Sequence, residues 1–89
     1  MSVETLRVAA DTKPISLAGA IAHSVRESNE ARLSAIGAHA VNQAVKAIAI
    51  ARGYLVVSGI NIVCSPSFVD YDEPGLGAMT GILFKVLPA

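Results

Sequence analysis

Seven Lys and Arg, two His, one Cys and seven carboxylates are the chemically active side chains of this 89-residue sequence. Their spacing closes most catalytic routes. Cys64 has no second cysteine, which excludes an intrachain disulfide and a secreted, disulfide-stapled scaffold. It has no metal-ligand partner at a recognisable spacing, and on an apolar strand it is expected to be a buried small hydrophobe. His23 and His39 fall on different expected helices, so they do not make a zinc pair. Gly75-Leu76-Gly77 opens a GxGxxG pattern, but Thr80 stands at the third glycine position and no helix follows. Ser24 lacks the strand-turn-helix context of a nucleophile elbow. The expectation is a protein that is not an enzyme, with no cofactor and no metal.

Anion binding is the chemistry that remains. Lys13, the backbone N–H groups at Gly37 and Ala38, His39 and Lys46 are its candidates. A helix N-terminus favours anions, phosphate included. A solvated loop with incidental lysines accounts for the same residues equally well.

The elements that must position these groups follow from the apolar pattern. Val3 to Val8 reads as a strand, and Asp11-Thr12-Lys13-Pro14 as a loop. Leu17, Ala18, Ile21, Ala22 and Val25 share one side of an expected helix over Leu17–Ser28, with Ser16 as its N-cap. Ala31 to Ile36 reads as a second strand. Gly37 opens a helix over Ala38–Arg52 that Gly53 is expected to close. On that helix Val41, Ala44, Val45 and Ile48 are expected to face the sheet, leaving Ile50 among His39, Gln43, Lys46 and Ala47. Gly59 precedes a third strand over Ile60–Val69, with Pro66 marking an edge or bulge. Residues 70–77 read as a loop, and Ala78–Leu87 as the last strand. Strand-helix-strand in this length implies a right-handed crossover and parallel pairing. The loop between the first strand and the first helix and the start of the second helix then meet at one sheet edge.

Bulk composition bounds the partners. The chain is 53% hydrophobic and 16% charged, with no net formal charge. Residues 1–52 hold six cations and four anions, and residues 53–89 hold one and three. Any basic surface is therefore small and confined to the helical part. A chain this short buries only about 60–65% of its unfolded surface, yet it carries 15 Ala, 10 Val, 8 Ile and 7 Leu. Apolar surface left outside marks a contact site, so a homo-oligomer, dimer or tetramer, is expected. The longest uncharged stretch, 17 residues from Gly53 to Val69, is broken by Ser58-Gly59, Asn61 and Pro66 and is no membrane span. Met1 to Arg7 shows no signal-peptide pattern. A cytoplasmic location is expected.

The run from Ala35 through Gly37, His39, Asn42, Gln43 and Lys46 to Arg52-Gly53 resembles the central signature of the stage V sporulation protein S family. Leu17-Ala18-Gly19-Ala20, Ser58-Gly59 and Cys64-Ser65-Pro66 agree with it. The resemblance implies a small bacterial regulator linked to late sporulation. That family in turn resembles the Alba chromatin-protein fold, which implies a single α+β domain over 1–89. Its architecture would be a β-α-β-α-β-β two-layer sandwich, a four-stranded mixed sheet with two helices on one face.

Lys13-Pro14 is similar to the Alba lysine-proline loop that contacts nucleic acid. The resemblance implies a nucleic-acid-binding set of Lys13, Gly37, His39, Asn42 and Lys46, and a dimer interface on the second helix at Gln43, Ala47 and Ile50. Two departures weaken duplex binding. The basic entry to Alba's second helix is reduced here to His39, and the hairpin tip carries Asp70, Asp72 and Glu73. Four phosphates contacted by two lysines from each of two chains give a salt slope near about −3.6. Weak, salt-sensitive DNA or RNA binding is the expected function. A protein-interaction adaptor that has lost nucleic-acid binding is the alternative.

Overall fold

A computed structural model describes residues 3–75 and 77–89, without the side chain of Glu73. Met1, Ser2 and Leu76 lie outside it, and with them the start of the leader reading and part of the expected tip. The element order is β1 (Thr5–Val8), α1 (Pro14–Ser28), β2 (Ala31–Ala35), α2 (Ala38–Val56), β3 (Ile62–Glu73) and β4 (Gly77–Pro88). The strands form one mixed sheet in the order β1-β2-β4-β3. β1 and β2 are parallel, and β4 is antiparallel to both β2 and β3. This is the expected α+β architecture.

The core lies between the helices and one sheet face. Leu33 and Ala35 of β2, and Phe84 and Val86 of β4, meet Leu17, Ile21 and Val25 of α1, all buried. β3 is an edge strand paired only with β4, as Pro66 requires, since proline cannot donate to a second partner. Cys64 on this edge strand is exposed rather than buried as expected.

Every element differs from the expectation at one or both ends, β1 starting at Thr5 rather than Val3 and β2 ending at Ala35 rather than Ile36. Helix α1 begins at Pro14, not Leu17, and Ser16 makes no cap. Lys13 is the N-cap, with extended backbone and no side-chain cap bond. Proline fills the first helical position because its missing N–H is one the helix leaves unpaired anyway. Helix α2 runs through Gly53 to Val56. Burying Leu55 contributes about 1.5–3 kcal/mol, more than the roughly 0.5–1 kcal/mol that an interior glycine costs. The stop is a Schellman arrangement around Gly59, whose φ is 80°. Ile60 N–H donates to Leu55 O and Gly59 N–H to Val56 O, both at 3.0 Å.

β3 starts at Ile62, two residues later than read. The hairpin instead extends into the expected loop, up to the pair Glu73↔Gly77. Asp70 and Asp72 are poor strand formers, but cross-strand pairing overrides that preference, and Thr80 Oγ1 donates to Asp70 Oδ1 at 3.0 Å.

The inward face of α2 is rotated from the expected one, with Ala44 buried as read and Val41 and Ile48 only partly buried against the core. Ala40, Ala44, Ala47, Ala51 and Leu55 are buried, whereas Val45 is 50% exposed. Helix α2 packs chiefly on α1 rather than on the sheet. Small side chains allow the two axes to approach closely, since interaxial distance depends on the side chains at the contact.

Candidate nucleic-acid interface

Parallel pairing of β1 and β2 places the C-terminal ends of both strands at one end of the sheet, so the helices that follow both start there. Neither first turn contains an acidic residue. Two positive dipole ends therefore lie side by side. Gly37 reaches this position with φ 92°, a conformation open chiefly to glycine, and Val41 N–H donates to its carbonyl at 3.0 Å.

The β1–α1 loop is tied to α2 by one bond. Gln43 Nε2 donates to Thr12 O at 2.9 Å, directly beside Lys13. Thr12 Oγ1 in turn accepts from Ala9 N–H at 2.8 Å, which closes the loop on itself. Helical spacing puts His39, Gln43 and Lys46 on one stripe with Asn42 at its border. Lys13, Gly37, His39, Asn42 and Lys46 are all exposed. Lys13, Gly37 and His39 stand at this end, while Asn42 and Lys46 lie about one and two turns further along α2. Asp11 is an exposed carboxylate in the same loop.

The three expected interface residues each have an intrachain role. Gln43 holds the loop, Ala47 is fully buried in the core, and Ile50 is partly buried and packed against that core. Exposed apolar surface lies elsewhere. Val57 is 87% and Phe68 81% exposed, and Val45 stands free on α2.

The hairpin arm shapes the same end. Ala35↔Ile82 is the last pair between β2 and β4, so the pairs from Val69↔Gly81 to Glu73↔Gly77 project beyond the sheet. At about 3.4 Å per residue this arm extends roughly 14–17 Å. It carries Asp70 and Asp72, which sequence reading had placed in a loop.

Residues 4–89, essentially the whole chain, match the family described as Stage V sporulation protein S (SpoVS). The chain belongs to that family. It is accordingly a small sporulation-related protein, and the resemblance in the run Ala35–Gly53 extends to both ends of the fold. In this SpoVS-family chain, no group of three or more His, Cys, Asp or Glu among the described residues is placed to hold a metal ion. No helix among the described residues is long and apolar enough to cross a membrane.

Sequence reasoning missed a second polar surface, the sheet face turned away from the helices. Directly opposed residues share a face, so Thr5, Arg32, Lys85 and Ser65 form one row across it. Arg7, Ser34, Leu83 and Ser67 form the next. The signal lay in polar residues alternating with the buried Leu33, Phe84 and Val86, but strand order is needed to assemble the rows.

Proposed function

We propose that this chain is a non-enzymatic, cytoplasmic regulator that binds nucleic acid weakly through the end of the fold where both helices begin. The observation that carries this reading is the Gln43–Thr12 bond. It holds Lys13 against the α2 stripe, so that Lys13 and Lys46 can act on one backbone together with two helix N-termini. The acidic arm at the same end limits strength, because a duplex crossing that end meets Asp70 and Asp72.

Self-association completes the surface. Helix α1 packs over β2 and β4 and α2 over β1 and β2, and the helix-side face of β3 carries Cys64, Pro66 and the exposed Phe68. Phe68 and Val45 are the side chains to be covered by a second copy, in place of Gln43, Ala47 and Ile50.

Fluorescence anisotropy at low salt on single-stranded RNA, single-stranded DNA and duplex DNA tests the reading. Binding weaker than about 100 μM falls outside even the non-specific range and counts against it. So does binding indifferent to Lys13→Glu with Lys46→Glu. The acidic arm favours one second reading, a protein-interaction adaptor. A partner retained through nuclease treatment and high salt supports that one.

A further inference from the structure

The sheet face away from the helices has one feature that a merely solvated face does not need. Arg7 on β1 and Tyr71 on β3 belong to the two outer strands, separated by β2 and β4. Three strand spacings are about 14 Å. Yet the Arg7 guanidinium carbon lies 5.9 Å from the centroid of the Tyr71 ring. The hairpin arm curls over the face to make this contact. Gly81 permits it, since a Cβ there would lie 3.2 Å from Tyr71 Cε2 and 2.8 Å from Ala35 O.

The contact turns a flat sheet into a trough. Cavities of about 320 and 380 Å³ flank it, and both are lined by Arg7, Ser34 and Tyr71. One runs on to Ile36, the other to Thr5, Val69 and Leu83.

The face on which the trough opens has the composition of a phosphate-contacting surface. Arg32 and Lys85 lie opposite one another, with hydroxyls of Thr5 and Ser65 at the ends of their row. The next row adds Arg7, Ser34 and Ser67. Glu30 is the carboxylate that answers Arg32 and Lys85. It accepts from Arg32 Nε and lies 4.0 Å from Lys85 Nζ, so one anion is shared by two cations. Arginine, lysine and small hydroxyls are the side chains that contact phosphate and sugar. The rows are about 6.8 Å apart along the strands, comparable to the phosphate spacing of an extended single strand.

We propose that this trough is a second binding site, taking the backbone of a single-stranded nucleic acid along the two rows with a base stacked at Tyr71. It uses neither Lys13 nor Lys46 and stands independently of the helix-end site. Charge complementarity selects a polyanion, and geometry selects the single strand. A duplex keeps its direction over about 150 base pairs and cannot follow a trough closed at one end by a side-chain bridge. A single strand can bend into it, and a base on an aromatic ring contributes about 1–3 kcal/mol without sequence preference.

The test uses the full chain and a fluorescein-labelled oligouridine 12-mer at low salt, with 4-thiouridine photocrosslinking mapped by peptide mass spectrometry. The expected result is a crosslink to peptides of the β3–β4 hairpin, and a roughly tenfold loss of affinity in Tyr71→Leu. The charge-removing set Glu30→Gln, Arg32→Gln, Lys85→Gln should weaken binding and flatten its salt dependence, while Tyr71→Phe should retain affinity. Crosslinks confined to residues 9–13 and 38–46, with binding lost only in Lys13→Glu/Lys46→Glu, overturn this site and leave the proposed function standing. The reverse pattern keeps this site and removes the helix-end one. Absence of any binding at about 100 μM, or equal affinity for duplex competing at the hairpin crosslink, overturns the proposal. The wild-type crosslink map decides the matter if a variant proves unfolded.

Discussion

Gln43 Nε2 donates to the backbone carbonyl of Thr12 at 2.9 Å, and this bond joins the second helix to the loop that carries Lys13. The two residues are 31 positions apart, and the bond is partly buried. At the other end of the helix pair Arg26 Nη2 reaches Tyr54 O at 3.5 Å, a long and exposed contact by comparison. The loop end is therefore the better fastened of the two.

Replacing Gln43 by Leu removes the donor without changing charge. The expected cost is about 1 kcal/mol of stability, with faster amide exchange across residues 9–13. If the helix-end site binds nucleic acid, affinity falls as well, although Lys13 and Lys46 remain. Urea unfolding, hydrogen exchange and anisotropy on the same preparation measure the three effects.

Gly81→Ala should destabilise the fold by about 1–3 kcal/mol. The added carbon would sit 2.8 Å from Ala35 O and 2.9 Å from Ile36 Cγ1, and backbone cannot yield cheaply. Gly19→Ala is the control, because nothing lies within 4 Å of its added carbon. It should stabilise α1 by about 0.5–1 kcal/mol. Thermal unfolding of both variants gives opposite signs if the arm packs as described.

Leu55→Ala should cost about 2–5 kcal/mol, as for other fully buried leucines. Gly59→Ala should cost about 1–2 kcal/mol, because φ of 80° is strained for any residue with a Cβ. Equal midpoints for Gly59→Ala and wild type in urea would contradict the Schellman stop.

Val45→Ser with Phe68→Ser should leave monomer stability nearly unchanged, since both side chains are already largely in water. Sedimentation velocity should then show lost self-association. A wild-type chain that is monomeric at micromolar concentration would remove the oligomer from the proposed function.

The residues of the helix-end site were legible from spacing because parallel strands with crossover helices leave few arrangements. Once β1 and β2 were parallel, Lys13 and Gly37 had to share an end. The phase of α2 was not legible. Val41, Ala44, Val45 and Ile48 form one apolar stripe and Ala40, Ala44, Ala47 and Ala51 another that shares Ala44, so periodicity alone marks either as the inner one. Larger residues look like core, but a helix that packs on another helix buries its alanines. That choice sent Ala47 inward and Val45 outward.

Local patterning determined the element order, the parallel start, the single unpaired cysteine and the cluster of cations in residues 1–52. The tertiary structure decided which stripe of α2 is core, how far the hairpin extends, and that Arg7 and Tyr71 meet from opposite edges of the sheet. The division has one physical cause. Propensity and periodicity act between residues a few positions apart, whereas helix phase, strand extension and cross-sheet contact depend on which surfaces compete for the same burial.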